Sequence, residues 1–333
     1  MQKNYGVKFL AFGTSLPEMA VTNIDLEKLF ETSDEWIYTR TGIKQRRIIS
    51  KNETGLSLSL DAAKQALKKT NIKPEEIDLI IVATATPDNL YPTMSCMLQG
   101  ELGAVNAVAF DLSAACSGFV FGIVTAAQFI YTGQYKNILV VGVDVHSRFI
   151  DWSERSVAVL FGDGAGAVLM SRALAKDDQI LSFSINSEAD KNKDLILENK
   201  NVNFLSFSNK GTSRNFVRMN GKAIYQFAVR VVPDLVNKLL DETKLKPNDL
   251  NYLILHQANQ RIIDFIAKKL DFTSEQVISN ISNVGNTSAA SIPLAIMDAV
   301  SQKKIQTPCT LMLVGFGAGL TWGGIVLKLD KIV

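Results

Sequence analysis

The chain has 333 residues, 47% hydrophobic and 20% charged, which is ordinary for a folded globular protein and long enough for two packed units. A net charge of +2 provides no general attraction to nucleic acid, so an anionic partner has to be met by a local basic patch. Three cysteines (Cys96, Cys116, Cys309) and two histidines (His146, His256) offer neither a disulfide framework nor zinc-ligand spacing. No metal and no cofactor are therefore expected, and a reducing compartment fits. The apolar stretches are interrupted by Gly, Asp or Ser, and residues 1–6 lack a signal-peptide core. The expectation is a protein of the cytoplasm, or the mature form of an organelle protein, with no membrane span.

Along the chain, strand-like runs alternate with helix-length amphipathic segments, which predicts an α/β fold with buried sheets. Residues 62–69 read as a helix ending near Lys73-Pro74, and 78–83 as a short buried strand. Next comes Asn106-Ala-Val-Ala-Phe-Asp-Leu-Ser-Ala-Ala-Cys116-Ser-Gly118, an apolar run ending in small residues, then an apolar helix over 119–131. This order puts a thiol on a strand-to-helix turn, where the partial positive charge of a helix N-terminus favours the thiolate. On the turn alone, a buried structural cysteine is an equal reading. Phe161-Gly-Asp-Gly-Ala-Gly166 leads into an apolar strand at 167–171, and the polar stretch 184–215 is expected to be a surface excursion.

The second half repeats the first. Residues 239–245 lead to Lys246-Pro247, and a strand at 251–255 ends on His256. Positions 78 and 251 lie 173 apart, as do Gly142 and Gly315, so an internal duplication is expected. Residues 278–297 then correspond to the Cys116 turn. Gly315-Phe-Gly-Ala-Gly319 onto 322–329 matches the earlier Gly-rich strand pair. Division into halves at 1–175 and 176–333 follows. Equivalent strand ends of two related halves converge at their boundary, and Cys116, His256 and the Asn286 loop all occupy such ends.

Six stretches carry a resemblance: Ser33-Asp-Glu-Trp36-Ile-Tyr-Thr-Arg40-Thr-Gly-Ile43, the Cys116 turn, Phe161-Gly-Asp-Gly-Ala-Gly166, His256-Gln-Ala-Asn259, Gly285-Asn286-Thr-Ser-Ala-Ala-Ser291 and Gly315-Phe-Gly-Ala-Gly-Leu-Thr-Trp-Gly323. Together, in this order, the sequence resembles the beta-ketoacyl-acyl-carrier-protein synthase III family of the thiolase superfamily. The resemblance implies a thiolase-like fold of two duplicated α/β/α halves forming a five-layered core. It implies condensation of acetyl-CoA, or another short acyl-CoA, with malonyl-acyl carrier protein. By position it implies Cys116 as acylated nucleophile, and His256 and Asn286 as donors for decarboxylation. Phe161 and Phe316 would line the chamber, and Gly317, Ala318 and Gly319 would form an oxyanion loop. Trp36, Arg40 and Arg155 would meet the CoA nucleotide, Asn259 its pantetheine arm, and Arg261, Lys268 and Lys269 the acidic carrier protein. A homodimer is also implied, with Tyr91 reaching the partner's acyl pocket. The sequence departs from the family pattern at Gln226, where a lysine is usual and for which Lys222 and Arg230 are candidate substitutes. It departs again at Ala318, in place of glycine. Cys96 and Cys309 read as packing residues, and His146 receives no role.

Alternatives remain at this level: a specialised condensing enzyme of polyketide metabolism, a non-catalytic partner subunit, or a Cys-His hydrolase. The nucleophile's presence disfavours the second, and a carbon–carbon bond in the product would exclude the third.

Overall fold

Side chains alternate across a strand, so a sheet buried on both faces needs apolar residues at every position. Strands of that kind organise this molecule. The computed structural model describes residues 4–198 and 215–333. One sheet contains β1 (Tyr5–Ser15), β2 (Leu79–Ala83), β3 (Val108–Leu112), β4 (Asn137–Asp144) and β5 (Gly164–Leu174), in the order β1-β5-β4-β2-β3. The other contains β6 (Ile180–Ser187), β7 (Tyr252–Leu255), β8 (Cys309–Gly317) and β9 (Thr321–Leu329), in the order β6-β9-β8-β7. In the first sheet β2 is parallel to β4, and β5 is antiparallel to β4 and β1. In the second, β7 is parallel to β8, and β9 is antiparallel to β8 and β6. Order and direction therefore coincide, except that only a bridge between Leu253 and Val277 stands where β3 stands in the first sheet.

Seven longer helices complete the layers among the described residues: α1 (Asp34–Thr41), α2 (Gly55–Lys68), α3 (Gly118–Thr132), α4 (Gly221–Thr243), α5 (Gln260–Lys269) and α6 (Ser291–Ser301), with Met94–Leu102 between α2 and α3 in the chain. The outer ones are amphipathic and capped: Thr54 accepts from Ser57 N at α2, and Asn220 from Ala223 N at α4. The central pair, α3 and α6, is apolar nearly all round, as a helix covered on both sides has to be. Leu79, Ile81, Ile138 and Val140 of the first sheet share one core with α3, α6 and Ile254, Leu311 and Leu313 of the second. Their strand neighbours Ile80, Val82, Leu139 and Val141 face α2, while Leu253, Leu255, Met312 and Val314 face α4 and α5. Five layers result, helix–sheet–helices–sheet–helix. Residues 115–132, the one described stretch long and apolar enough to cross a membrane, form the middle of this stack.

The repeat is close at the level of single residues. The short 3-10 turns Pro74–Glu76 and Pro247–Asp249, and Ala115–Ser117 and Ser288–Ala290, each lie 173 positions apart. Ala115 and Ser288 also share positive φ values, 44° and 50°, a conformation costly for any residue with a Cβ. Each half lays its turn across a glycine in the other half's sheet. A Cβ on Gly142 would sit 2.5 Å from Ala289 O, and one on Gly315 would sit 2.8 Å from Ser117 Cα. Residues 184–187 belong to the edge strand β6, which corrects the expected surface excursion over 184–215. Strand pairing holds the sheet through its backbone despite the polar composition there. Leu195–Leu197 pairs with Val217–Met219, and 199–214 lie outside the described residues.

Candidate active site

Cys116 tops the turn between β3 and α3, and only 5% of its surface is exposed. The small side chains around it let the second half close in. The Ser288 hydroxyl donates to Cys116 Sγ at 3.2 Å, and a Cβ on Gly317 would fall 2.9 Å from both Cys116 Cβ and Cys116 N. Glycine at 317 is thus a condition for the sulfur's position. Burial pushes the Cys116 thiol up to about 12. The Ser288 hydrogen bond opposes this and the negative charge of Asp144 adds to it. The turn alone favours the thiolate, but here desolvation by burial dominates and favours the thiol.

His256 follows β7 directly, with its backbone N–H donating to Val314 O at 2.7 Å. Its Nδ1 is 2.7 Å from Ser291 Oγ, and its ring meets Phe316 edge-on with centroids 5.2 Å apart. Burial, with the nearby His146 also contributing, lowers His256 from 6.5 to about 3, so the ring is neutral at working pH. His146 stacks on Phe161 at 4.6 Å, and its buried Nδ1 has no hydrogen-bond partner among the described residues. No role for this histidine is expected from sequence, yet it sits directly behind a wall of the site.

Asn286 is fastened by two backbone bonds to the loop carrying Phe161: Asn286 N to Leu160 O and Gly162 N to Asn286 O, both 2.9 Å. Its side-chain Oδ1 accepts from Ser288 N at 2.9 Å, which turns the amide N–H2 outward. Buried Arg46 holds the Phe161 loop from behind by donating to Val159 O at 2.8 Å.

Cys116, His256 and Asn286 line a single cavity of about 480 Å³, together with Phe161, Phe316 and Gly317. Of the expected oxyanion loop, Gly317 borders the cavity and Ala318 and Gly319 do not. The strand pairing that starts at Thr321 turns the loop away from the sulfur. Ala318 has an ordinary backbone conformation and is partly exposed, so its side chain is accommodated without strain. The same cavity is lined by Trp36, Arg40, Lys222, Asn259 and Arg261. The guanidiniums of Arg40 and Arg155 each lie 4.4 Å from the centre of the Trp36 ring. Both polar ends of the Asn259 side chain are engaged, accepting from Arg261 N at 2.9 Å and donating to Arg40 O at 3.1 Å. Asn259 therefore caps α5 and ties it to α1 at the cavity wall.

Arg261, Lys268 and Lys269 lie exposed on α5, with exposed Phe265 between them. Of the proposed substitutes at Gln226, Arg230 is paired with Glu188, and Lys222 is exposed at the cavity. Tyr91 is 87% exposed. Cys309 is buried, whereas Cys96 is exposed, contrary to its reading as a packing residue: its helix buries Met94, Ser95 and Leu98 instead. Sequence reasoning missed Ser288, Ser291 and Asp144. The first two stood inside a quoted motif, and the 173-residue repeat aligns Ser288 with the strained Ala115.

A duplicated double-sheet fold with Cys, His and Asn around one cavity defines the decarboxylating condensing enzymes of the thiolase superfamily. Residues 110–189 match the family model for 3-oxoacyl-[acyl-carrier-protein] synthase III, and residues 240–329 match the model for its C-terminal part. Beta-ketoacyl-[acyl-carrier-protein] synthase III of Nostoc sp. is 45% identical, covering 98% of this chain and 99% of its own length. The chloroplastic synthase III of Arabidopsis thaliana is 43% identical, over 97% of this chain and 83% of its own. The crystal structure of 3-oxoacyl-[acyl-carrier-protein] synthase III from Aquifex aeolicus superposes with a TM-score of 0.89 at 41% identity, covering 97% of this chain and all of that one. The chain belongs to the beta-ketoacyl-acyl-carrier-protein synthase III family.

Proposed function

We propose that this chain performs the initiating condensation of fatty acid synthesis, joining acetyl-CoA or another short acyl-CoA to malonyl-acyl carrier protein. The observation that carries the assignment of roles is the single cavity lined by Cys116, His256 and Asn286 and also by Trp36 and Arg40.

In the first half-reaction the Cys116 sulfur attacks the acyl-CoA carbonyl. The carbon–sulfur bond to CoA breaks and the thiol proton ends on the CoA sulfur, so one thioester replaces another. The backbone amides of Cys116 and Gly317 receive the oxyanion. Entry of a thioester displaces water and brings the leaving sulfur to the thiol, which answers the high resting pKa. In the second half-reaction the malonyl carboxylate departs as carbon dioxide, and its electron pair moves to the thioester oxygen. The neutral His256 ring and the Asn286 amide donate to that oxygen, each worth roughly 3–4 kcal/mol of barrier. A neutral pair suits this step, because neither adds negative charge beside the departing carboxylate. The enolate carbon then attacks acyl-Cys116 and the carbon–sulfur bond to Cys116 breaks, giving the beta-ketoacyl carrier and a thiolate that takes a proton from water to return to the thiol. The reaction balances with the two thioesters and one proton taken from water, and calls for no further cofactor.

Trp36 with Arg40 and Arg155 forms the nucleotide end, and Asn259 borders the pantetheine path. Arg261, Lys268 and Lys269, with Lys222 at the rim, receive the carrier protein. We also read the chain as a homodimer. The outer edge of β3 carries half-exposed Phe110 and Leu112 beside exposed Val108 and Val105, an edge that a second copy would cover. The cytoplasm or a plastid stroma is the proposed compartment, in keeping with the chloroplastic relative.

Mass spectrometry of the protein after incubation with acetyl-CoA tests the core of this reading. Wild type gains one acetyl group on Cys116 and converts malonyl-carrier to acetoacetyl-carrier. Cys116→Ala gains none. His256→Ala and Asn286→Ala are acetylated but release carbon dioxide at least ~100-fold more slowly. Normal acylation of Cys116→Ala would overturn the assignment. A panel of acyl-CoA esters separates a fatty-acid starter role, which favours short acyl groups, from a specialised polyketide role.

A further inference from the structure

Nδ1 of His256 points at Ser291 Oγ, 2.7 Å away, and the backbone N–H of Gln257 also points at that oxygen, at 3.3 Å. Among the described residues these are the only hydrogen bonds of the Ser291 hydroxyl; it makes none to the carbonyls of the preceding turn, the usual habit of a helical serine. Ser291 is fully buried. If Nδ1 carried the histidine proton, Ser291 Oγ would accept from both neighbours, and its own buried proton would have no acceptor, a costly arrangement. If Ser291 donates to Nδ1, every group is satisfied and the proton of the neutral ring lies on Nε2, the nitrogen left to face the cavity.

The duplication supplies an independent observation. His256 and Ser291 stand 173 residues after Ala83 and Gly118. In the first half those two positions touch as well, since a Cβ on Gly118 would lie 3.1 Å from Ala83 Cβ. The same contact is thus two minimal apolar residues in one half and a hydrogen-bonded Ser–His pair in the other. The half that bears the histidine is the half that bears the hydroxyl.

We propose that Ser291 is the positioning residue that fixes His256 as the Nε2–H tautomer, so that the ring can only donate to the enolate oxygen and cannot serve as the base for Cys116. It acts through His256, and it deepens the functional reading above, on which it rests. The two donors are then aimed by the same short segment: Ser288 N–H fixes which end of the Asn286 amide faces the cavity, and Ser291 O–H fixes which nitrogen of His256 carries hydrogen. It also assigns the half-reactions differently. Acylation, in which the thiol proton passes to the CoA sulfur, needs no imidazole base; decarboxylation needs the Nε2–H.

The chain has only two histidines, which makes the direct measurement tractable. Side-chain nitrogen NMR on histidine-labelled wild type, with the His256 signals identified by their loss in His256→Ala, should show the Nε2–H tautomer near neutral pH. Finding Nδ1–H there overturns the proposal without any Ser291 variant. Ser291→Ala should populate the Nδ1–H form, keep acetylation of Cys116 within about twofold, and slow malonyl decarboxylation by about 100-fold, the loss expected for one removed donor. Ser291→Thr, which keeps the hydroxyl, should restore most of that rate and the Nε2–H signature. Decarboxylation by Ser291→Ala at the wild-type rate also overturns the proposal. Failure of the underlying reading looks different: the wild type itself would then form no acyl-Cys116 or release no carbon dioxide.

Discussion

As the proposed nucleophile, Cys116 has to be hidden from water and still give up a proton. Its burial makes the thiol the resting form, and among the described residues the Ser288 hydroxyl is the one side chain that donates to the sulfur. Thiolate fraction then rises about tenfold per pH unit across pH 7–9, because this range lies well below the pKa. Iodoacetamide labelling of Cys116, read by peptide mass spectrometry, should climb through this range without a plateau and lag behind exposed Cys96 at pH 7. Labelling of Cys116 ahead of Cys96 would contradict a protonated resting state. Ser288→Ala, which removes the opposing hydrogen bond, should slow both labelling and acetylation several-fold. The place of Cys116 was legible in the sequence as a thiol on a strand-to-helix turn flanked only by small residues, but that turn alone reads equally as a buried structural cysteine. Its ionisation was not legible, since the local turn argues for a lower pKa and only the tertiary enclosure raises it. Ser288 and Ser291 escaped notice for a related reason: serines in a small-residue turn look like packing until the histidine and the sulfur are brought to them from residues far away in sequence.

Helix α5 performs two tasks on opposite sides. Ile262, Ile263 and Ile266 pack into the sheet, while Arg261, Phe265, Lys268 and Lys269 face outward. Asn259 caps the helix and touches α1, so the basic face is held in register with the cavity mouth. Lys268→Glu with Lys269→Glu should raise KM for malonyl-acyl carrier protein about tenfold or more and leave acetylation by acetyl-CoA within twofold. Steady-state kinetics with carrier-borne and CoA-borne substrates make this comparison, and an equal loss for both would argue that the helix itself had been disturbed. At this scale the strands and turns of the core were legible, because an all-apolar run between Gly-rich turns admits few structures besides a buried strand. The polar stretch after residue 184 misled, since β6 is an edge strand with one face open to solvent and its composition resembles a loop. The double stacking of Arg40 and Arg155 on Trp36 was only partly visible: Arg40 is one helical turn away, but Arg155 comes from a separate helix.

Across the whole molecule, duplication provides two equivalent turns and only one of them is chemical. The His256 side of that asymmetry leaves a mark on stability. His256 is held near a pKa of about 3, against about 6.5 when unfolded, so between these values the unfolded chain binds a proton that the folded chain refuses. Its contribution is fully present above pH 6.5 and shrinks as pH falls, by up to ~1.4 kcal/mol per unit. Urea unfolding at pH 7.5 and 5.5 should show this slope in wild type and a shallower one in His256→Gln. On the other side of the asymmetry stands Asp144, the counterpart of Gly317 at the same 173-residue spacing. Where Gly317 leaves the space around Cys116 open, buried Asp144 fills the matching space beside Ala289. It accepts from Ala289 N at 3.3 Å, from Ala85 N at 2.8 Å and from the hydroxyls of Thr84 and Thr86. A carboxylate thus occupies the position where an oxyanion would lie in a second active turn, and it satisfies the amide that would have bound one. Asp144→Asn replaces one acceptor oxygen by a donor among these donors, and should cost about 1–3 kcal/mol in urea unfolding. The same change removes the negative charge that helps to raise the Cys116 thiol, so labelling of Cys116 at pH 8 should become faster. Stability and thiol reactivity are expected to move in opposite directions in this one variant. A loss of stability with unchanged labelling would mean that the charge of the silent turn is not felt at the active one.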